Sequence, residues 1–174
     1  MNHADHVRLI HGGIVPGDWA DLGSGGGAFT LALADLLAGN GTIHSVDQDA
    51  GVLREQAATM RQRFPSAQVT YLAADFTRPL TLTPLDGIVM ANSLHFVRDK
   101  VSVLRLVRSY LKPGGRLVLV EYNADGGNMW VPYPFSYPTW ERLATQAGFT
   151  ATRQLATIPS RFLREIYAAL SISA

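Results

Sequence analysis

The chain has 174 residues, 47% hydrophobic and 17% charged, with a formal net charge of +1. That is enough apolar material for one sizeable core and too short a chain for two, so a single domain over residues 1–174 is expected. Near-zero charge argues against nucleic acid as a partner, and the lack of cysteine removes disulfides, thiolate metal sites and cysteine nucleophiles together.

No apolar run approaches the roughly 18 residues of a membrane span, and Met1 to Arg8 holds no long apolar leader core, so a soluble, cytoplasmic chain is expected. From Asp18 onward, short apolar runs alternate with stretches of helical period, the pattern of a parallel sheet covered by helices on both faces. A first strand fits Asp18 to Leu22. It is followed by the turn Gly23-Ser24-Gly25-Gly26-Gly27 and a helix over Phe29 to Leu37 that stops at Gly39-Asn40-Gly41. Thr42 to Val46 reads as the second strand, with Asp49 capping a helix from Gly51 to about Phe64. Gln68 to Ala73 reads as the third strand. Gly87 to Ala91 is the fourth, leading to a helix over about Asp99 to Leu111 in which Val101, Leu104, Val107 and Leu111 recur at helical spacing. Pro113-Gly114-Gly115 turns into a fifth strand, Arg116 to Glu121. Residues 123–138 form a loop rich in Gly, Pro and aromatics, before a short helix over Thr139 to Ala147 and two late strands near Thr150 to Leu155 and Phe162 to Ser171.

Ligands of open parallel sheets bind beyond the carboxyl ends of the strands, which is where Gly23 to Gly27 falls. Glycines there let a ligand approach the main chain at the start of the following helix. The letters also satisfy G-x-G-x-x-A through Gly23, Gly25 and Ala28, so a nicotinamide-dependent oxidoreductase is one reading. The flanking acids favour another. Asp21, two residues before Gly23, would repel a pyrophosphate and attract the positive sulfonium and ammonium of S-adenosylmethionine. Asp47 after the second strand suits a ribose diol with either cofactor. Asp75-Phe76 after the third offers an acceptor for an adenine amino group and a ring to lie against the purine.

These segments resemble the class I S-adenosylmethionine-dependent methyltransferases, above all the small-molecule group called methyltransferase type 11. The likeness runs from about Asp18 to Glu121. Asp21 to Gly27 is similar to the family's first motif, Val46-Asp47 to its ribose-binding acid and Ala74-Asp75-Phe76 to its adenine-binding acid. Ala91 to Val97 and Leu111 to Leu117 resemble its segments after the fourth strand and before the fifth. The resemblance implies an α/β, Rossmann-like, mostly parallel seven-stranded sheet of order 3-2-1-4-5-7-6, the last strand antiparallel, and methyl transfer with S-adenosylhomocysteine as product. On this reading Asp21, Gly23, Ser24, Gly25, Gly27, Asp47, Gln48, Asp75, Phe76 and Asn92 hold the cofactor. Family members commonly carry a longer N-terminal cover, so residues 1–17 are expected to form a short helical lid. The segment after the fourth strand lacks an Asn-Pro-Pro-Tyr pattern, which turns the expectation away from nucleic-acid bases. A module that binds the cofactor without turnover stays open beside the enzyme.

Methyl transfer from a sulfonium is an in-line displacement, and placing the acceptor supplies much of the catalysis. If a proton must leave, His95 is the best-placed base, although a histidine in such a segment also serves as a packed, hydrogen-bonded residue. Glu121 and Tyr122 close the fifth strand toward the acceptor. Trp130, Tyr133, Phe135, Tyr137 and Trp140, with His95 and Tyr122, form the expected wall for an apolar or planar acceptor, or else an ordinary apolar cover. His3, His6 and His11 lack paired carboxylates nearby, and Asp125 is a single acid in a loop, so no metal is expected.

Overall fold

The computed structural model describes residues 1–160 and 162–174. The elements run α1 (His3–Ile10), β1 (Trp19–Leu22), α2 (Ala28–Leu37), β2 (Thr42–Asp47), α3 (Ala50–Arg63), β3 (Gln68–Ala73), β4 (Leu85–Ala91), α4 (Lys100–Arg108), β5 (Leu111–Tyr122), α5 (Tyr137–Gln146), β6 (Phe149–Ser160) and β7 (Arg164–Ser173). The strands form one sheet of order β3-β2-β1-β4-β5-β7-β6, as expected. Every pairing from β3 to β5 is parallel, and β7 runs antiparallel to both β5 and β6.

Strand alternation divides the core between the two faces of the sheet. Trp19, Val89, Val118 and Val120 face a cluster completed by Leu9 and Ile10 of α1, Phe29 and Leu33 of α2 and Met60 of α3. Ala20, Leu22, Ile88, Met90, Leu117 and Leu119 face the opposite cluster with Leu104 and Val107 of α4 and Trp140 and Ala144 of α5. The helices hold their starts with side chains the sequence supplies: Asn2 and Asp5 form a capping box on α1, and Asp49 accepts from the amides of Gly51 and Val52 on α3.

The structure departs from expectation between α4 and β5. The helix stops at Arg108, and Leu111 already pairs with Leu85 while Gly87 pairs with Arg116, so Pro113-Gly114-Gly115 bulges out of a strand instead of preceding one. Pro113 has no N–H to give the ladder and Gly114 takes φ 75°, which together eject this segment. The late strands are also longer than their apolar runs. Edge strand β6 is largely polar, and two register shifts against β7 break its alternation, which is why its full length does not read as a strand.

Candidate active site

The glycine turn leaves β1 and enters α2. Gly23 has φ 75°, and a Cβ there would lie 2.5 Å from that of Ser93, so this backbone packs where no side chain fits. Gly25 has φ 50°, and a Cβ on it would meet nothing within 4 Å, so its main chain is open on the ligand side. Asp47 ties the loop to β2, its Oδ2 accepting from the Gly25 amide at 2.8 Å and its Oδ1 from the Asp49 amide at 3.0 Å. Each oxygen keeps a further lone pair for a ligand hydroxyl. Asp75 accepts from the amide and hydroxyl of Thr77 at 2.8 and 2.7 Å on one oxygen, and those bonds hold its carboxyl below the usual range.

A cavity of about 640 Å³ opens over this loop. Of the residues expected to hold the cofactor, it brings together Gly23, Gly25, Asp47, Gln48, Asp75, Phe76 and Asn92. Ser93, Val97, Asp99, Ser102 and Val103 close the far side. Sequence reasoning missed these because they come from the turn after β4 and the first turn of α4, where Asp99 reads as nothing more than a helix cap accepting from Ser102. A ligand with a diol, an amine and a planar base meets acids, open backbone and Phe76 here, and the donor set fits S-adenosylmethionine.

Asp21, Ser24 and Gly27 do not line that cavity. Asp21 alternates to the α2 face of β1, with Trp19, and is 1% exposed. Its Oδ2 accepts from the Thr30 hydroxyl at 2.7 Å. Burial, opposed by that hydrogen bond and reinforced by the nearby Asp47 charge, pushes its carboxyl up to about 7. The expected direct attraction between Asp21 and a sulfonium is therefore replaced by a buried structural acid. Ser24 lies beneath the loop, its hydroxyl accepting from the Gln56 amide at 2.9 Å. Gln56, from α3, also donates to the Gly25 carbonyl, accepts from Ser45 and packs under Gly27, so a helix side chain with nothing in the sequence to mark it grips the turn from below.

Beyond Asn92 lies a second cavity of about 390 Å³, lined by Asn92, His95, Phe96, Tyr122, Trp130, Val131 and Phe162. Asn92 and Phe96 line both cavities. Asn92 adopts φ 51°, strained for a residue with a Cβ, and its Oδ1 is buried without a hydrogen-bond partner among the described residues. His95 is 3% exposed and Glu121 fully buried. His95 Nδ1 lies 2.8 Å from Glu121 Oε2, and the His95 amide donates to Oε1 at 3.1 Å, so one carboxylate fixes both the ring and the turn that carries it. With Nδ1 facing a carboxylate, the proton sits on that nitrogen and Nε2 is left as the basic one.

Trp130 lines this cavity. Phe135, Tyr137 and Trp140 do not and pack into the core on the α4–α5 face of the sheet, and Tyr133 does not line it either. Its amide donates to the His95 carbonyl at 3.0 Å, and its ring lies 5.6 Å from the Lys100 ammonium. The loop is pinned by its own polar residues. Asp125 accepts from the amide and hydroxyl of Ser136 and Asn128 from the amides of Trp130 and Val131, while Asn123 bonds Glu165 and Tyr137. Asp125 thus has a structural employment. The N-terminal helix does not line the cofactor-sized cavity either. It packs on α2, with His3 Nε2 2.9 Å from Asp35, and reaches the β6–β7 hairpin instead. The His6 ring lies tilted against Phe29 and His11 Nδ1 meets the Arg8 carbonyl, so each of the three histidines has its own separate partner among the described residues.

Comparison with known proteins agrees with this geometry. A family described as a methyltransferase domain matches residues 20–117. The ubiquinone/menaquinone biosynthesis C-methyltransferase of Shewanella oneidensis is 30% identical over 104 residues, covering 59% of this chain and 41% of that protein. The chain spans less than half the length of the curated relatives it matches. Among solved structures, the YcgJ protein of Bacillus subtilis superposes with a TM-score of 0.80 at 13% identity, over 98% of this chain and 99% of that one. The 1,6-didemethyltoxoflavin-N1-methyltransferase of Burkholderia thailandensis, solved with S-adenosylhomocysteine, gives 0.76 at 18% identity, over 99% of this chain and 78% of that one. At these identities the structures speak for a shared fold.

Proposed function

The chain belongs to the methyltransferase domain family, and on that premise we propose that it is an S-adenosylmethionine-dependent methyltransferase acting on a small apolar or planar molecule. The observation that carries this reading is the joint at Asn92 and Phe96, where a cavity of open backbone and acids meets a cavity holding a carboxylate-oriented histidine. The cofactor supplies a methyl carbon made electrophilic by its sulfonium. Asp47 would accept from the ribose hydroxyls and Asp75 from the adenine amino group, while Phe76 and the Gly23–Gly25 backbone would supply the remaining contacts.

On the acceptor side, Tyr122 and Trp130 hold an apolar body against His95. Nε2 would accept the proton that the acceptor loses on methylation, with S-adenosylhomocysteine as the other product. Glu121 keeps Nδ1–H in place and stabilises the imidazolium that results. No helix among the described residues is long and apolar enough to cross a membrane. The reading takes a cytoplasmic small molecule as the partner, and neither nucleic acid nor a membrane.

Thermal unfolding with S-adenosylhomocysteine, S-adenosylmethionine, NAD and NADP in parallel tests the cofactor. At about a hundredfold excess over the dissociation constant, the first two are expected to raise Tm by about 5–10 °C and the nicotinamides to leave it unchanged. A rise with NAD alone, or with none of the four, overturns the reading. Transfer of label from methyl-labelled cofactor to aromatic and apolar acceptors then tests turnover.

A further inference from the structure

A third cavity, of about 560 Å³, continues the acceptor cavity on the side away from the cofactor. The two share Tyr122 and Phe162 as a common wall. A series of ring contacts leads to that wall: the Phe96 centroid lies 4.2 Å from that of His95, His95 5.9 Å from Tyr122, and Tyr122 5.9 Å from Phe162. Ile158 and Ile166 of the β6–β7 hairpin line the third cavity with Tyr122 and Phe162, and so does Arg8 of α1. The Arg8 guanidinium forms no ion pair among the described residues. Asp5 lines the same cavity, but its Oδ2 accepts from the Asn2 amide within the capping box of α1. A cation that forms no ion pair among the described residues, lining a cavity that shares two aromatic walls with the one beside His95, has the chemistry of a subsite for a negatively charged group.

We propose that the third cavity is a tail subsite, and that the acceptor is an elongated molecule whose reactive end meets His95, whose apolar body crosses Tyr122 and Phe162, and whose anionic end pairs with Arg8. This rests on the methyltransferase reading for what happens at His95, but the subsite is a statement about binding alone. An acid at the tail would give the two cavities a polarity, setting which end of the acceptor reaches the methyl carbon. A neutral molecule of the same shape would enter either way round.

Two fluorescent probes of nearly one shape separate the contributions: 8-anilino-1-naphthalenesulfonate, which carries an anion, and N-phenyl-1-naphthylamine, which does not. Both are titrated against the full chain with S-adenosylhomocysteine present to fill the first cavity. The sulfonate is expected to bind about threefold to fivefold more tightly than the amine, the range of a solvent-accessible ion pair. Arg8→Gln is expected to abolish that preference while leaving the amine unchanged, and Phe162→Ala to weaken both probes together. Equal binding of the two probes by the unaltered chain, or a preference that survives Arg8→Gln, overturns the proposal, as does indifference of both probes to Phe162→Ala. Failure of S-adenosylhomocysteine to stabilise the protein strikes the methyltransferase reading and leaves the tail subsite standing.

Discussion

Around the glycine turn the polar side chains are committed to one another before any ligand arrives, whereas around His95 the walls are rings exposed to solvent. Asp21, Thr30, Ser45, Gln56 and Ser24 are all buried in one hydrogen-bonded layer under the loop. At the other end Trp130 is 71% exposed, Phe96 61% and Phe162 49%. A preorganised polar cradle suits a ligand that never varies, since its groups are held where charge and hydrogen bonds are needed. Exposed aromatic walls give contact area without dictating a pattern of donors and acceptors, and on the proposed reading the carboxylate-oriented His95 supplies the chemistry. Substitutions at the two ends should therefore separate cleanly in what they change.

His95→Ala is the largest expected effect and falls on the acceptor side alone. Turnover should drop by about 10²- to 10⁴-fold, the usual contribution of a positioned base, with S-adenosylhomocysteine affinity by calorimetry unchanged. Full turnover with an acceptor that must lose a proton would make His95 a packed residue. Glu121→Gln should show a smaller drop in the same parameter, because the ring loses its charged partner and keeps a neutral one.

Gly23→Ala strikes the cofactor side through the backbone. The new Cβ meets Ser93 and Phe76 and must be held at positive φ, so a loss of about 1–3 kcal/mol of stability in urea unfolding is expected, along with weaker cofactor binding. Asp47→Ala leaves the fold more nearly intact but removes the acceptor of the Gly25 amide and the proposed ribose contact. Calorimetry should show S-adenosylhomocysteine binding weakened by about 1–3 kcal/mol. An unchanged affinity would take Asp47 out of the site.

The same contrast explains what could be read in the sequence. Gly23, Gly25, Asp47, Asp75 and Phe76 are contiguous with strand ends, and a parallel sheet carries all strand ends to one edge, so local patterns sufficed to assemble that cavity. The acceptor side draws on the turn after β4, the end of β5, a Pro-rich loop and the β6–β7 hairpin, whose convergence depends on sheet order and antiparallel register. Phe162 was expected to open the last strand but lies in the turn before β7, and its place on a cavity wall was not legible for that reason. Glu121 was legible as an acid closing a buried strand, and burial of a charge at such a place is itself a signal that a partner awaits it. Gln56 left no signal, because one glutamine on a polar helix face looks like any other. Asp21 was misread in direction, because its role follows from which side of β1 it faces and not from its distance to Gly23.

That misreading gives the subtlest test. Asp21 has an unfolded value near 3.8 and a folded one raised to about 7, so the native state holds a proton more tightly than the unfolded chain. Its contribution to stability is therefore lost as pH rises from about 4 to about 7, and is flat on either side of that window. Asp21→Asn keeps an oxygen to accept from Thr30 and removes the titration. Measured by urea unfolding at several pH values, the variant should gain on the unaltered protein steadily across the window and hold a constant lead above it, with little change in S-adenosylhomocysteine affinity. A difference that does not vary with pH, accompanied by weakened cofactor binding, would mean that Asp21 acts as an ionised carboxylate toward the ligand, and the committed layer under the loop would belong to the binding surface itself.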